Sequence, residues 1–196
     1  MKRTAFVVTA LALALLLASC ILESENPLSN PHDFPADSRL EGIWTAHNEG
    51  YLYFIPIDDS VMEVDLVEYY YTRYPTDRPR IEWERYRVFR TEIEGAEYLN
   101  VKPIAGAAVG KPVQEREYPG YIIVKYQISD DGLLTIWSGS EDTVRRGIEN
   151  GIVAGTGSKI ADNSASLRDY IRYAEGLFTV KIGTFRKIRS KIPGAK

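Results

Sequence analysis

Few side chains in this sequence are of types that could perform thiol or metal chemistry. Cys20 is the only cysteine, and His32 and His47 are the only histidines. A zinc site needs a cluster of such ligands at short spacing, and these three residues do not form one. A disulfide within one molecule is excluded because there is a single thiol. The sequence therefore predicts no site for a metal or another cofactor.

Nucleophilic catalysis and phosphate binding also lack their usual patterns. A serine nucleophile needs a base beside it, whereas Ser138-Gly139-Ser140 fits a loop that ends in a helix N-cap. The stretch from Gly151 to Gly157 is rich in glycine but lacks the Gly-Lys-Ser/Thr ending of a phosphate-binding loop. These absences predict that the protein is not an enzyme.

Five acidic residues on predicted strands keep one catalytic alternative open. They are Glu63, Asp65, Glu68, Glu82 and Glu84. At the mouth of a β-barrel, a pair of carboxylates could serve as acid and base on a cell-wall glycan. Their alternating strand positions favour a second interpretation, a solvated outer face. A tight carboxylate pair in a cleft would distinguish the enzyme from this face.

Tyrosine and arginine are concentrated between residues 68 and 90. Side chains of these two types are enriched in protein interfaces. The partner of such a surface would be an envelope protein, a glycan or lipid headgroups. Glu82 and Glu84 lie among the arginines, so ordinary strand packing with a charged outer face is the alternative. The predicted interaction surface consists of Tyr70, Tyr71, Arg73, Tyr74, Arg85 and Arg87.

The first 19 residues predict export. Met1-Lys2-Arg3 is a short cationic start, and the apolar run 5–17 is shorter than the roughly 20 residues of a membrane-spanning helix. This combination is typical of a secretory signal peptide, residues 1–19. Its removal takes the formal net charge from −3 to −5, since Lys2 and Arg3 leave with it. A mildly acidic chain of this kind argues against a nucleic-acid partner.

The apolar run is followed by Leu17-Ala18-Ser19-Cys20. These residues resemble the lipobox of bacterial lipoprotein precursors, which is an apolar residue, two small residues and a cysteine. The resemblance implies that a diacylglyceryl group is joined to the Cys20 thiol and that cleavage frees the Cys20 amine for acylation, for example with palmitate. Two or three acyl chains hold a protein durably on a membrane, because each buried CH₂ contributes about 0.8 kcal/mol.

Residues 20–39 are predicted to form a lipidated tether. The segment contains three prolines and many polar residues, a composition typical of an extended linker. At about 3.3 Å per residue it could hold the domain up to ~60 Å from the membrane. Ile21 stands where many lipoproteins of the inner membrane have aspartate. By this resemblance, the expected location is the inner leaflet of the outer membrane, facing the periplasm.

Residues 40–196 are predicted to form a single β-rich domain. Apolar residues alternate with polar ones in short segments between turn residues, as in half-buried strands. A slip in the apolar phase near Glu84-Arg85 indicates a β-bulge, and the stretch from Pro103 to Gly120 is predicted to be a loop. The eight predicted strands are 40–46, 51–57, 61–72, 81–93, 97–102, 121–129, 133–137 and 177–188.

Two short helices are predicted before the last strand. The first covers 140–148, with Ser140 as its N-cap. The second ends at Ala174, and Ser166 with Asp169 would form its capping box. The expected fold is thus mainly β, an antiparallel meander of about eight strands with these two helices.

Eight sequential antiparallel strands can close into a barrel or half-barrel, which removes exposed edges. Gly42-Ile43-Trp44 resembles the Gly-x-Trp that opens lipocalins and other calycins. This resemblance implies a tryptophan that packs across the floor of a barrel. Leu40 to Trp44 is also similar to the Leu-x-Gly-x-Trp start of proteobacterial lipoproteins, a likeness that implies no activity.

Two functions are compatible with these features. The first is a non-catalytic lipoprotein, anchored through Cys20, that binds or scaffolds a partner in the cell envelope. The alternative is a carrier that holds a small apolar ligand inside a calycin-like barrel. A barrel interior filled by Trp44, Trp137 and their neighbours would argue against the carrier.

Overall fold

The computed structural model describes residues 22–46, 50–70, 80–108, 114–115 and 118–188. Two helices lie in this part of the chain, α1 (Glu141–Glu149) and α2 (Ser164–Tyr173). Its strands are β1 (Leu22–Ser24), β2 (Gly42–Ala46), β3 (Gly50–Pro56), β4 (Val61–Tyr70), β5 (Arg80–Ile93), β6 (Ala96–Ala108), β7 (Gln114–Glu115), β8 (Tyr121–Ile128), β9 (Leu133–Ser138), β10 (Gly155–Thr156), β11 (Lys159–Ile160) and β12 (Val180–Lys187).

Eight of these strands form a closed antiparallel barrel. Their order around the barrel is β2, β3, β4, β5, β6, β8, β9 and β12. Pairing of β12 with β2 and of β6 with β8 completes the circle. Closure satisfies the backbone groups that an open sheet would leave at its two edges. The predicted lipocalin-like barrel is confirmed, and both helices precede its last strand.

A core of apolar side chains from alternating strand positions lies inside the barrel. Trp44 is 1% exposed, and its Nε1 donates to the carbonyl oxygen of Leu40 at 2.6 Å. The Nζ of Lys187 lies 5.4 Å from the centre of the indole ring. We call the buried set the interior core: Leu40, Trp44, Phe54, Met62, Val64, Val88, Leu99, Val124, Tyr126, Leu134 and Ile136.

A second core lies between the outer wall of the barrel and the helices. Ile123 and Val124 are neighbours in β8, yet the first points to this outer core and the second to the interior core. The period of two in a strand gives the wall two apolar faces here. The outer core consists of Leu22, Leu28, Ile93, Tyr98, Ile123, Val144, Val153, Ile160, Leu167, Tyr170, Ile171 and Leu177.

The segment predicted as a tether is folded against the barrel from Leu22 onward. The strand β1 pairs with both β8 and β11, and Leu22 and Leu28 are 0% exposed. The prediction of an extended tether over 20–39 is wrong for this part of the chain. Its apolar residues are spaced among prolines and polar residues, so no period reveals that they enter a core.

Hydrogen bonds between buried polar groups connect this segment to the wall of the barrel. The Oδ1 of Asn100 accepts from the backbone N–H of Leu28 at 2.6 Å, and its Nδ2 donates to Thr91 Oγ1 at 2.8 Å. Thr91 in turn shares a hydrogen bond with Ser29 at 2.6 Å. Each of these buried groups has a partner, as buried polar groups require.

The helix ends differ in how well local sequence identifies them. Ser140 caps α1 as predicted, since its side chain accepts from the N–H of Thr143. The predicted capping box of Ser166 and Asp169 is wrong, because Asn163 caps α2 and accepts from the N–H groups of Ala165 and Ser166. Asparagine is as good an N-cap as serine, and the helix therefore begins three residues earlier than predicted.

The predicted loop from Pro103 to Gly120 is wrong in its first part. The strand β6 continues to Ala108, and Ala105 and Gly106 pair with β7. The register between β5 and β6 shifts at Arg85 and Tyr86, where Ile104 is the additional residue. A bulge is thus present beside the predicted position, but its extra residue is in β6. A proline in the strand fits such an irregularity, because it has no N–H to donate.

Candidate functional site

The predicted tyrosine and arginine surface is only partly within the described residues. Tyr71, Arg73 and Tyr74 and the side chain of Tyr70 lie outside them. Arg85 and Arg87 are on the outer face of β5, opposite Asp65 and Glu63 of β4.

Both arginines are paired with acids of the neighbouring strand. Arg85 Nε and Nη2 donate to the two carboxylate oxygens of Asp65 at 2.6 and 2.9 Å. Glu63 lies 3.8 Å from Arg85 and 3.7 Å from Arg87. Opposite charges on facing strands stabilise a sheet by tenths of a kcal/mol to about 1 kcal/mol. This geometry favours the alternative interpretation, a charged outer face.

The five candidate acids are divided between the two faces of the wall. Glu63 and Asp65 face outward, whereas Glu68, Glu82 and Glu84 share the strand face that points into the barrel. Glu68 is directly opposite Glu82, and Tyr86 donates to the carboxylate of Glu84. Within the described ranges, no three His, Cys, Asp or Glu side chains are arranged to hold a metal ion.

A cluster of charged side chains lies at the floor of the barrel, where Ala36 and Leu40 pack against the interior core. Tyr126 Oη donates to Asp37 at 3.0 Å and to Glu97 at 3.2 Å. Arg39 and Arg90 supply the positive charges, since Arg39 binds Asp37 with two nitrogens and Arg90 binds Glu97 with two. We call these five residues the floor cluster.

Protonation in the floor cluster follows from these contacts. Burial raises the pKa of Asp37, but hydrogen bonds from Arg39 and Tyr126 outweigh it and hold this pKa below its usual value. Burial, together with the carboxylates of Asp37 and Glu97, raises the pKa of Tyr126. The tyrosine therefore remains a hydrogen-bond donor and the aspartate an acceptor, which suits a structural role.

We expect Asp37→Asn to lower the free energy of unfolding by about 2 kcal/mol at neutral pH, because a charged acceptor is lost. A lowered folded-state pKa gives stability that is complete above the unfolded pKa of about 3.9 and is lost as the pH falls through the folded value. Urea unfolding between neutral and acidic pH should show the variant approaching the wild type below about pH 4. Asp33→Asn is the control, since within the described ranges the Asp33 carboxylate bonds with Asn30 alone, on the surface. Parallel curves for wild type and D37N would contradict the prediction.

A concave surface lies outside the barrel, between the two helices. It is a cleft of about 650 Å³, and we call it the helix cleft. Gly147 allows the helices to approach, because a Cβ there would lie 2.7 Å from Tyr170 Oη. The same hydroxyl donates to the carbonyl oxygen of Thr143 at 2.9 Å. Gly147 and Tyr170 thus bring the two helices together within the lining of the helix cleft.

The rim of the helix cleft is apolar and exposed. Ile152 is 68% exposed and Tyr173 is 74% exposed, and both line it. Large apolar groups exposed beside a concavity are typical of binding surfaces. The polar groups of the lining include Arg146, Asn150 and Asp169.

Arg146 is the cation of this lining, and its described hydrogen-bond partners are neutral groups. Its Nε donates to the carbonyl oxygen of Asp142 at 3.2 Å, and its Nη2 lies 3.5 Å from Thr143 Oγ1. Among the described residues it forms no ion pair, whereas Asp169 is bound by Arg172 at 2.8 Å. The helix cleft therefore offers a cation next to exposed apolar surface.

No local sequence pattern indicates the helix cleft. Its lining comes from both helices and from the turn after α1. The one available signal is position: Ile152 follows the turn at Gly151, and Tyr173 lies beside the apolar face of α2. The guanidinium of the adjacent Arg172 lies 5.8 Å from the centre of the Tyr173 ring, a contact that does not by itself indicate a cleft.

Cys20 and the predicted signal peptide lie outside the described residues. Among those residues, neither helix has the length and apolar character needed to cross a membrane. Comparisons with models of protein families, with curated proteins and with solved structures found no match to this chain. The fold and the cleft define a class: a closed antiparallel β-barrel of lipocalin-like architecture with two helices packed on its wall.

Proposed function

We propose that this protein is a lipid-anchored, non-catalytic binding protein of the bacterial cell envelope. Its barrel serves as a rigid support, and the helix cleft receives a short segment of another envelope protein. Residues 17–20 support the anchor through their resemblance to a lipobox, and Ile21 supports a location on the inner leaflet of the outer membrane. Labelled palmitate incorporated into the wild type but not into Cys20→Ala would test the anchor.

The observation that carries the binding role is the helix cleft with its exposed apolar rim. An apolar side chain of a partner would cover Ile152 and Tyr173, and a carboxylate of the same segment would pair with Arg146. Charge-assisted hydrogen bonds to arginine are about twice as strong as neutral ones. The preferred occupant is therefore an acidic segment with one or two apolar residues.

The filled interior core supports this proposal over a carrier. A small apolar ligand inside the barrel would need the space that Trp44, Phe54 and Tyr126 occupy, and these side chains are at most 2% exposed. The side chain of Trp137 does not lie in the barrel interior. Its two neighbours in β9, Ile136 and Ser138, face inward, so Trp137 faces outward.

The binding role is tested by photo-cross-linking in intact cells. A photoreactive phenylalanine in place of Tyr173 is expected to give one discrete protein adduct, which mass spectrometry identifies. The same group in place of Tyr53, an exposed residue of β3, is the positional control. Equal adducts at both positions, or none at Tyr173, would contradict the proposal.

Two neighbouring arginines provide a matched charge control. Arg146→Glu is expected to reduce the Tyr173 adduct about tenfold, because attraction of an acidic segment becomes repulsion. Arg145 is one residue away, pairs with Asp142 and Glu149 and does not line the cleft. Arg145→Glu should therefore leave the adduct unchanged. Equal losses in both variants would indicate a general effect of charge.

A further inference from the structure

The outer wall formed by β8, β9 and β12 has an unusual charge distribution. These three strands are adjacent in the barrel, and none of them contains an acidic residue. Their outward positions carry Lys125, Lys181 and Arg186, although the chain as a whole has a formal net charge of −3. The wall is thus a basic region on an acidic protein.

A tryptophan lies near the end of the middle strand of this wall, between two lysines. Trp137 is directly opposite Lys125 of β8 on one side and Lys181 of β12 on the other. Tyr98 of the outer core is the next neighbour beyond Lys125, which places this row on the outer face. Tryptophan with lysines beside it suits a membrane interface, where the indole meets the headgroups and lysines reach for the phosphates.

Ile182 adds exposed apolar surface next to this row. The register between β9 and β12 shifts between Lys181 and Gly183, so Ile182 is the additional residue of a bulge. It is 54% exposed. Bulges commonly redirect a side chain, and here the redirected side chain is apolar and lies beside the basic row.

The predicted lipid attachment lies close to the same wall. A Cβ at Gly139 would be 2.6 Å from Leu22 Cβ, so β1 begins where β9 ends, two residues after Trp137. Cys20 is two residues before Leu22, a distance of about 7 Å at most along the chain. A lipid attached to Cys20 would therefore have only a short connection to this end of β9.

Resting on the proposed lipid anchor, we propose that the wall of β8, β9 and β12 lies on the bilayer. Trp137 and Ile182 enter the headgroup region, and Lys125 and Lys181 contact anionic lipids. A single lipid surface would bind the exposed apolar residues and the lysines, and it would also agree with the short connection to Cys20. The wall then sets the orientation of the barrel on the membrane.

Fluorescence quenching by brominated lipids tests this orientation. The lipidated full chain is reconstituted in phosphatidylethanolamine and phosphatidylglycerol vesicles whose acyl chains carry bromine near the headgroup. Trp83→Phe leaves Trp137 and the buried Trp44, and its emission is expected to be quenched. Trp137→Phe leaves Trp83 and Trp44, and its emission is expected to persist. Quenching of Trp83 in place of Trp137 would overturn the orientation.

Charge reversal provides the second arm. Lys181→Glu is expected to weaken the association of this wall with the anionic vesicles about fivefold, which is measured as reduced quenching of Trp137. Lys159→Glu is the control, because Lys159 pairs with Glu25 and lies in β11. Palmitate labelling of the same samples separates the two proposals. Labelled protein without Trp137 quenching refutes the orientation alone, whereas unlabelled protein refutes the anchor and the orientation that depends on it.

Discussion

Trp44→Ala is expected to lower the free energy of unfolding by about 4 kcal/mol, the typical cost of emptying a buried tryptophan site. The indole is fully enclosed, donates to the carbonyl oxygen of Leu40 and contacts the Nζ of Lys187. Its removal would leave that carbonyl without its donor and open a cavity at the floor. Urea unfolding followed by circular dichroism measures the loss.

Trp83→Ala is the matched control for this prediction. Trp83 is half-buried on the outer face of β5 and has the guanidinium of Arg85 5.1 Å from its ring centre. Its replacement should cost about 1 kcal/mol, the size of a partly exposed cation–π contact. Similar losses at Trp44 and Trp83 would mean that the interior core does not carry the stability of the barrel.

Leu22→Ala has the second largest expected effect, a loss of about 3 kcal/mol, because a fully buried leucine is truncated in the outer core. An extended tether would instead predict no change at this position. The measurement is urea unfolding of the processed protein.

Ile152→Ala controls for the loss of an aliphatic side chain. Ile152 is exposed at the cleft rim, so this change should alter stability by no more than about 0.5 kcal/mol. Indistinguishable curves for L22A and I152A would show that β1 does not contribute to the folded protein.

The barrel strands are the part of the fold that the sequence predicts well. Alternation of apolar and polar residues in segments such as 61–72 indicates a strand with one face in a core. The Asp131-Gly132 turn between β8 and β9 is an equally clear local signal. The observed strands Val61–Tyr70 and Leu133–Ser138 begin at the predicted residues. The period of a strand and the residue types of a turn are local features, so they can be identified in a single sequence.

The elements that the sequence does not predict depend on distant partners. Leu22 becomes buried only because Ile123 and the helices surround it. The small residues at the end of β6 show no period, because their pairing with β7 and the bulge at Ile104 determine their conformation. The helix cleft depends on the contact between Gly147 and Tyr170. Such information lies in the packing of separate segments.

The pairing of β1 also determines the order in which the fold can be completed. Its partners are β8 and β11, so Glu23 cannot pair with Lys159 until nearly the whole chain has been made. Contacts between such distant residues slow folding, because a long loop must close first. The first described strand of the chain is thus among the last to pair.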